Sequence, residues 1–464
     1  MEGRITTFIG AAMSQENLVR SLGMKESMAL VIGTVIGTGV FLKAGIMSQT
    51  TGSPMWVLLA WAVAGVLSLA GALCYAELGG MFPRAGGEYV YLREAYGDLP
   101  AFLFGWMRFW IGTPGSIAAY GVGAATFLSG IVSLGGPRGE AVAALVLIVA
   151  FSALNCFTVV VGGRIQAAMT ALKLVMILGL TGAIFFAANG ASWSHLSPTG
   201  DTSFRGMSAF GTSMLAALWA YDGWNNMPMA AGEIRDPGRN IPRALVIGML
   251  AVFGIYAVAN LGYFYALPFE EVLSARSKLN PTGLAVAAKA AQAAFGPVAL
   301  TVLSVAFVCS ALGSMNGSIL TGARVPFAMA RDGLFFRQLG EVSHKSRSPV
   351  ASVLVQCVIA CALALSNSFD QLTDYVVFSS WIFYALVTAS IFVFRNKRPE
   401  AERPYRTPGY PWMPAIFLVA SVLLLANTVI TATQDCLIGL AFIAAGIPVY
   451  YWFEKTKKAA AKAP

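Results

Sequence analysis

Lys173 sits near the middle of an apolar run, 165–177. An ammonium at that depth of a membrane costs at least ~2.5–3.5 kcal/mol on insertion scales, so it needs a partner or a task. Two other stretches offer groups that could supply one. The first reads Ile32-Gly33-Thr34-Val35-Ile36-Gly37-Thr38-Gly39-Val40-Phe41, and the second Leu218-Trp219-Ala220-Tyr221-Asp222-Gly223-Trp224-Asn225. Each interrupts a long hydrophobic segment with glycine and small polar residues. Backbone N–H and C=O groups freed inside lipid must find partners without water, so such breaks belong where they line a cavity. Breaks at corresponding places in two halves of a chain are the pattern of a transporter's midplane site, with N–H groups for a carboxylate and carbonyls for an ammonium.

In the first break, Gly33-x-x-x-Gly37 also reads as a helix-packing signature. Against packing alone stands the dense Gly37-Thr38-Gly39 run before β-branched Val40, because each interior glycine costs a helix about 1 kcal/mol. Unwinding there would expose the N–H groups of Thr38, Gly39 and Val40 to a carboxylate, with the Thr38 hydroxyl beside them. In the second break, unwinding around 221–223 would free the carbonyls of Trp219, Ala220 and Asp222 for an ammonium. Trp219, Tyr221 and Trp224 are bulky enough to close a small site from one side, and they lie too deep for an interfacial aromatic belt.

Two readings of Lys173 are open. Its stem could snorkel toward an interface, or its ammonium could stand where a bound cation would, bridging the carbonyls of the first break to Ser310, Ser314 or Asn316 on a later segment. Asp222 could cap the second half-helix, pair with a cationic substrate, or take a proton when buried. The sequence assigns no role to Arg108.

Of 464 residues, 57% are hydrophobic and 11% charged, and mean hydropathy is +0.68. The expected fold is therefore an all-α polytopic membrane protein. At ~20 apolar residues per crossing, about twelve segments are expected, near 26–49, 56–79, 99–133, 140–158, 162–188, 204–231, 243–267, 297–324, 349–366, 372–394, 412–434 and 436–453. Most of the 31 Lys and Arg residues fall on one side if the N-terminus is inside. Arg138, Arg205, Arg276, Lys278 and Lys289 fall outside, and Lys43, Arg108 and Lys173 within segments. Both ends are thus expected in the cytoplasm of a multi-pass cell-membrane protein. The net charge of +9 then reflects topology and attraction to anionic lipid, and calls for no nucleic acid.

Residues 1–25 are too polar for a cleaved signal and form a cytoplasmic N-terminus. Crossings 1–5 span 26–188, an inverted second set spans 204–395, helices 11 and 12 follow at 412–453, and 454–464 is a basic cytoplasmic tail. With five segments per half, the second half must enter from the other side. Outer loops 189–201 and 268–296 are long, and alanine-rich 281–295 could form a short external helix. The loop 81–89 leads into an amphipathic stretch suited to a cytoplasmic surface helix. The loop 232–243 is expected to turn at 236–238, with Pro242 starting segment 7. The six cysteines lie in or at the edge of apolar segments without metal-ligand spacing, and read as packing residues. Neither a metal nor a cofactor is expected, and the two histidines, His195 and His344, sit in loops without a nucleophile–base constellation, which argues against an enzyme.

Together the motifs resemble the L-type amino acid transporter family of the amino acid–polyamine–organocation superfamily. Those carrying the resemblance are Ile36-Gly37-Thr38-Gly39-Val40-Phe41, Pro83-Arg84-Ala85-Gly86-Gly87-Glu88-Tyr89, Trp219-Ala220-Tyr221-Asp222-Gly223-Trp224-Asn225, Asn316-Gly317-Ser318 and Ala328-Met329-Ala330-Arg331-Asp332-Gly333. The resemblance implies a twelve-helix LeuT-type 5+5 inverted repeat plus helices 11 and 12, with helices 1 and 6 unwound at mid-membrane. It also implies sodium-independent, one-for-one exchange of L-amino acids by alternating access. Carried onto this chain, it places Thr38 and Gly39 on the substrate carboxylate, beside Val40, and the carbonyls of Val35, Ile36, Trp219 and Asp222 on the amine. Gly37, Trp219, Ala220, Tyr221, Gly223, Trp224 and Ser380 would form pocket and gate, and Lys173, Ser310 and Ser314 the coupling site. The Tyr-Asp-Gly-Trp sequence is similar both to members that take cystine and cationic amino acids and to bacterial serine/threonine exchangers. Animal members that pair with a glycoprotein heavy subunit carry a cysteine in the loop between helices 3 and 4. The corresponding 133–140 has none, so a stand-alone bacterial member is expected, with amino acids and membrane lipid as its partners.

Two other functions remain open on sequence. A proton-coupled symporter of the same fold fits, since a fixed ammonium argues against Na⁺ but not against H⁺. A membrane receptor that binds an amino acid without moving it also fits, although no soluble signalling domain is present.

Overall fold

The computed structural model describes residues 18–157, 159–197, 203–276, 280, 283–366, 369–431 and 433–460, with backbone alone for 369–378, 431, 434, 435, 459 and 460. Among these residues the regular structure is all helix apart from one isolated bridge between Leu22 and Ile234. Crossing 1 is α1 (Met24–Val35) and α2 (Gly39–Thr51), and crossing 2 is α3 (Pro54–Met81). A short helix, α4 (Glu88–Tyr96), precedes crossing 3, which joins α5 (Asp98–Met107) to α6 (Thr113–Ser129) through a π-helical turn at Arg108–Gly112. Crossings 4 and 5 are α7 (Pro137–Asn155) and α8 (Val159–Ala187). Crossing 6 is α9 (Met207–Tyr221) and α10 (Asn226–Met229), and crossing 7 is α11 (Pro237–Ala266).

Two short helices follow, α12 (Phe269–Leu273) and α13 (Val286–Phe295), and then crossing 8, α14 (Ala299–Gly322). The short α15 (Arg324–Arg331) precedes crossings 9 to 12, which are α16 (Val350–Ser366), α17 (Phe369–Lys397), α18 (Trp412–Thr431) and α19 (Thr433–Ala460). Eight of these stretches are apolar and long enough to cross a membrane, and Val350–Ser366 is a shorter apolar helix. Crossings 3 and 6 are interrupted, and crossing 10 is described by backbone alone over 369–378.

Both breaks in crossings 1 and 6 form where the sequence offers poor helix. The Ile36 backbone leaves the helical region at φ −72°, ψ 85°, and α2 restarts at Gly39. In crossing 6 the helix ends at Tyr221, Asp222 is extended, and Gly223 has φ +119°, a conformation costly for any residue with a Cβ. The glycines also let the breaks touch. A Cβ on Gly39 would lie 2.5 Å from that of Ala220, and one on Gly223 would lie 2.9 Å from the Thr34 carbonyl carbon.

One face of the bundle, bearing the N-terminal segment, is closed by specific bonds. The N–H groups of Ser21 and Leu22 both donate to the Glu233 carbonyl at 2.9 Å, and Arg235 N–H donates back to Leu22 at 2.8 Å. The Glu233 carboxylate accepts two 2.9 Å bonds from Arg324, both residues being essentially inaccessible. Glu77 is held by the Arg395 guanidinium at 3.0 and 2.8 Å and by Thr407 N–H at 2.7 Å. On the opposite face, Gln49 at the end of α2 donates to the carbonyls of Leu273 and Ala275.

Several local expectations change. Crossing 7 starts at Pro237, so Pro242 lies inside it and no turn forms at 236–238. Pro237 takes the first helical position, where its missing N–H leaves no bond unmade, and Asp236 enters through a left-handed backbone at φ +43°. A helix does form after 81–89, α4, but it is no surface helix, because Glu88, Tyr89, Val90, Tyr91, Leu92 and Ala95 are all buried; the alanine-rich stretch forms α13. Of the stretches expected to be loops or tails, 1–17, 198–202, 277–279, 281–282 and 461–464 lie outside the described residues.

Candidate functional site

Lys173, on α8, is fully buried and reaches between two helices. Its Nζ donates to the carbonyls of Gly33 at 2.7 Å and Ile36 at 2.5 Å in the first break, and to the Ser310 carbonyl at 3.0 Å and Ser314 Oγ at 3.2 Å on α14. Ser310 and Ser314 are one helical turn apart and share this face. Ser314 Oγ donates toward Gly33 and Ile36, at 2.9 and 3.2 Å, and Ser310 Oγ toward Ile36 and Gly37, at 3.0 Å each. The ammonium thus has an all-oxygen shell, which removes the reason for its stem to snorkel. Asn316 does not join it. Two residues beyond Ser314 the helix has turned away, and Asn316 instead donates to Gln166 Oε1 at 2.8 Å and accepts from Asn155 at 2.9 Å.

This shell narrows the acceptors available to an ammonium ligand. A carbonyl has two lone pairs, and Ile36 O already faces Lys173, Ser310 and Ser314, so it is withdrawn from that set. Val35 O accepts from Gly37 N–H at 2.7 Å and from the Tyr256 hydroxyl at 2.9 Å. The same hydroxyl lies 2.9 Å from Ala220 O, so one proton serves two carbonyls, one from each break. Trp219 O accepts from Asp222 N–H at 3.1 Å.

The carboxylate side is simpler. Gly39 and Val40 open α2, where N–H groups have no intrahelical acceptor. Thr38 is fully buried, and its Oγ1 has no partner among the described residues. Above Gly37 stands Tyr120 of α6, whose ring would be 3.2 Å from a Cβ placed there. Ser380 is buried, and its Oγ also lacks a partner among the described residues.

The three aromatic residues of crossing 6 go to three different neighbours. Trp219 packs under the Lys43 ammonium, 4.6 Å from the ring centre. Tyr221 lies against Trp61 and Tyr256, at 5.8 and 4.9 Å between ring centres. Trp224 lies against Tyr75 and Tyr384, at 4.7 and 5.6 Å. Asp222 accepts a 2.7 Å bond from the Tyr384 hydroxyl. It does not cap the second half-helix, whose N-cap is Asn225, with no side-chain bond.

Sequence reasoning passed over Tyr120, Tyr256 and Tyr384. The available signal was a tyrosine inside an apolar segment, since a buried hydroxyl needs a partner. The described residues contain no cluster of histidine, cysteine or acids suited to a metal.

Two broken helices that meet at their breaks, beside a buried lysine, are the arrangement of a secondary transporter of the inverted-repeat type. The amino acid permease family profile matches residues 22–452. The chain is 32% identical over 442 residues to the serine/threonine exchanger SteT of Bacillus subtilis, covering 95% of this chain and 98% of that one. It is 31% identical over 448 residues to human b(0,+)-type amino acid transporter 1, covering 94% and 88%. It is 29% identical over 459 residues to the human large neutral amino acids transporter small subunit 2, covering 95% and 82%. The chain belongs to the amino acid permease family, and its L-type branch is the one these relatives represent. It is a multi-pass membrane transporter of amino acids and not an enzyme.

Proposed function

We propose that this protein is a sodium-independent exchanger of neutral L-amino acids, with small hydroxyl-bearing ones such as serine and threonine among its substrates. The observation that carries this reading is the four-oxygen shell of Lys173, whose amino group between helices 1, 5 and 8 takes up the oxygens that a cotransported Na⁺ would need. The substrate carboxylate lies on the N–H groups of Thr38, Gly39 and Val40 with the Thr38 hydroxyl, and its ammonium on the carbonyls of Trp219 and Asp222, since Val35 O, like Ile36 O, already has two donors. Gly37, Ala220, Gly223 and Tyr120 keep the space between the breaks small, which suits short side chains. Asp222 is engaged by Tyr384, so a neutral substrate leaves no acid unmatched there. Ser380 offers a hydroxyl to a polar side chain.

The face closed around Glu233 is the cytoplasmic one, because it carries most of the Lys and Arg. With no cysteine in 133–140, the chain works without a disulfide-linked partner. The test is uptake of labelled serine, threonine, leucine and arginine into proteoliposomes that are empty or preloaded with amino acid, with and without Na⁺ and a pH gradient. Uptake into preloaded vesicles alone, indifferent to Na⁺, is expected. Concentrative uptake into empty vesicles under a pH gradient would make it a proton symporter, and binding without flux a receptor.

A further inference from the structure

Below the second break, a buried acid and a buried base stand on either side of two consecutive asparagines. Glu88, the first residue of α4, is wholly inaccessible. It accepts a 2.8 Å bond from the Tyr75 hydroxyl, and Asn225 Nδ2 lies 3.3 and 3.4 Å from its two oxygens. Arg108, 4% exposed in the π-helical turn of crossing 3, donates to Asn226 Oδ1 at 2.9 Å and approaches Met229 Sδ at 3.6 Å. Neither charge has an ion-pair partner within 4 Å among the described residues.

A lone buried charge is very costly, whereas two opposite ones in a shared low-dielectric region compensate each other even at a distance. Here the separation is spanned by Asn225 and Asn226, the residues on which crossing 6 resumes as a helix. π-Helical turns concentrate at functional sites, and this one places a guanidinium against the segment that must move. The fit is incomplete in this arrangement: Arg108 Nε and Asn225 Oδ1 are buried without partners among the described residues. Trp224, stacked edge-on against Tyr75, and Asp222, bonded to Tyr384, connect the same segment to the site above it.

We infer that Glu88 and Arg108 are positioning residues: a split ion pair that holds the second half of helix 6 against helices 2 and 3 and so keeps the N-terminal face closed. The inference deepens the exchanger reading and rests on it for its transport readout. Removing one charge strands the other and favours opening of that face. Removing both leaves neither member of the pair stranded, and the nearby acid Asp222 keeps its bond from Tyr384.

The experiment compares wild type, Glu88→Gln, Arg108→Gln and the double variant for serine half-saturation from each side of oriented proteoliposomes. Each single variant is expected to raise the value from the face opposite the N-terminus about tenfold and to lower it from the N-terminal face, because fewer molecules are in the competent state. The double variant is expected to return to within about threefold of wild type, the non-additivity of an interacting pair. Additive effects in the double variant would overturn the pairing. Arg108→Lys, which keeps the charge, should stay near wild type even if Arg108→Gln fails to fold, and a shift of about tenfold in Arg108→Lys would overturn the charge argument. If wild type exchanges no amino acid, the exchanger reading falls, and the thermal unfolding midpoints of the same proteins still judge the pair. Singles less stable than the double support it, and a double as impaired as the two singles combined refutes it.

Discussion

The Thr34 hydroxyl lies 2.9 Å from the Gly223 carbonyl, so the broken helices 1 and 6 are bonded to each other directly. That hydroxyl also faces the carbonyls of Leu30 and Val31 in its own helix, and its single proton is shared among three acceptors. Thr34→Val keeps the volume and the methyl group that packs on Gly317, and removes the donor. Leaving a buried acceptor unmatched costs about 1–3 kcal/mol. We expect a lower thermal unfolding midpoint together with weaker serine binding, measured on the purified protein. Unchanged values for both would show that the bond contributes nothing.

Lys173 supplies the positive charge that four oxygens from helices 1 and 8 converge on. Lys173→Met should reduce exchange much more than equilibrium binding, because the shell joins elements that move relative to one another. Each acceptor left without a donor costs about 1–3 kcal/mol, offset in part by the hydroxyls of Ser310 and Ser314. Exchange at the wild-type rate in this variant would remove Lys173 from the transport cycle.

Thr38 offers a contrast between stability and affinity. Its hydroxyl is buried with no partner among the described residues, so Thr38→Val should leave the unfolding midpoint where it is or raise it. A hydrogen bond to a carboxylate is worth about 1.5–3 kcal/mol, and loss of it should raise the substrate half-saturation roughly tenfold or more. Calorimetry of the free protein and titration with serine read the two effects separately. Unchanged affinity would take the Thr38 hydroxyl off the carboxylate.

Glu233 and Arg324 form a buried bidentate pair next to the carbonyl that holds Ser21 and Leu22. Breaking a buried pair by removing one partner costs about 3–5 kcal/mol. Glu233→Gln should therefore lower the unfolding midpoint and expose the Leu22 region to protease. If protease sensitivity there is unchanged, the pair does not secure the N-terminal segment.

Much of the site was legible because it violates the rules of a membrane helix. Gly37-Thr38-Gly39 is a poor continuation of an apolar helix, Gly223 follows an acid at depth, and Lys173 is a charge where none is tolerated without cause. Ser310 and Ser314 were legible as a face by their spacing, whereas Asn316 looked equivalent until its direction was known. Local propensity likewise overstated the turn at 236–238, because Pro237 is as good a helix start as a turn former.

The class of fold follows from hydropathy, basic-residue asymmetry and two interruptions, all of which are properties of neighbouring residues along the chain. Which groups satisfy one another is settled by the folded bundle alone. Tyr256 meets Val35 across 221 positions, Tyr384 meets Asp222 across 162, and Arg108 meets Asn226 across 118. A buried polar group must be matched somewhere, and composition announces that need. Its partner is chosen by how helices cross and face one another, which depends on the packing of all of them together and is written in no local stretch of chain.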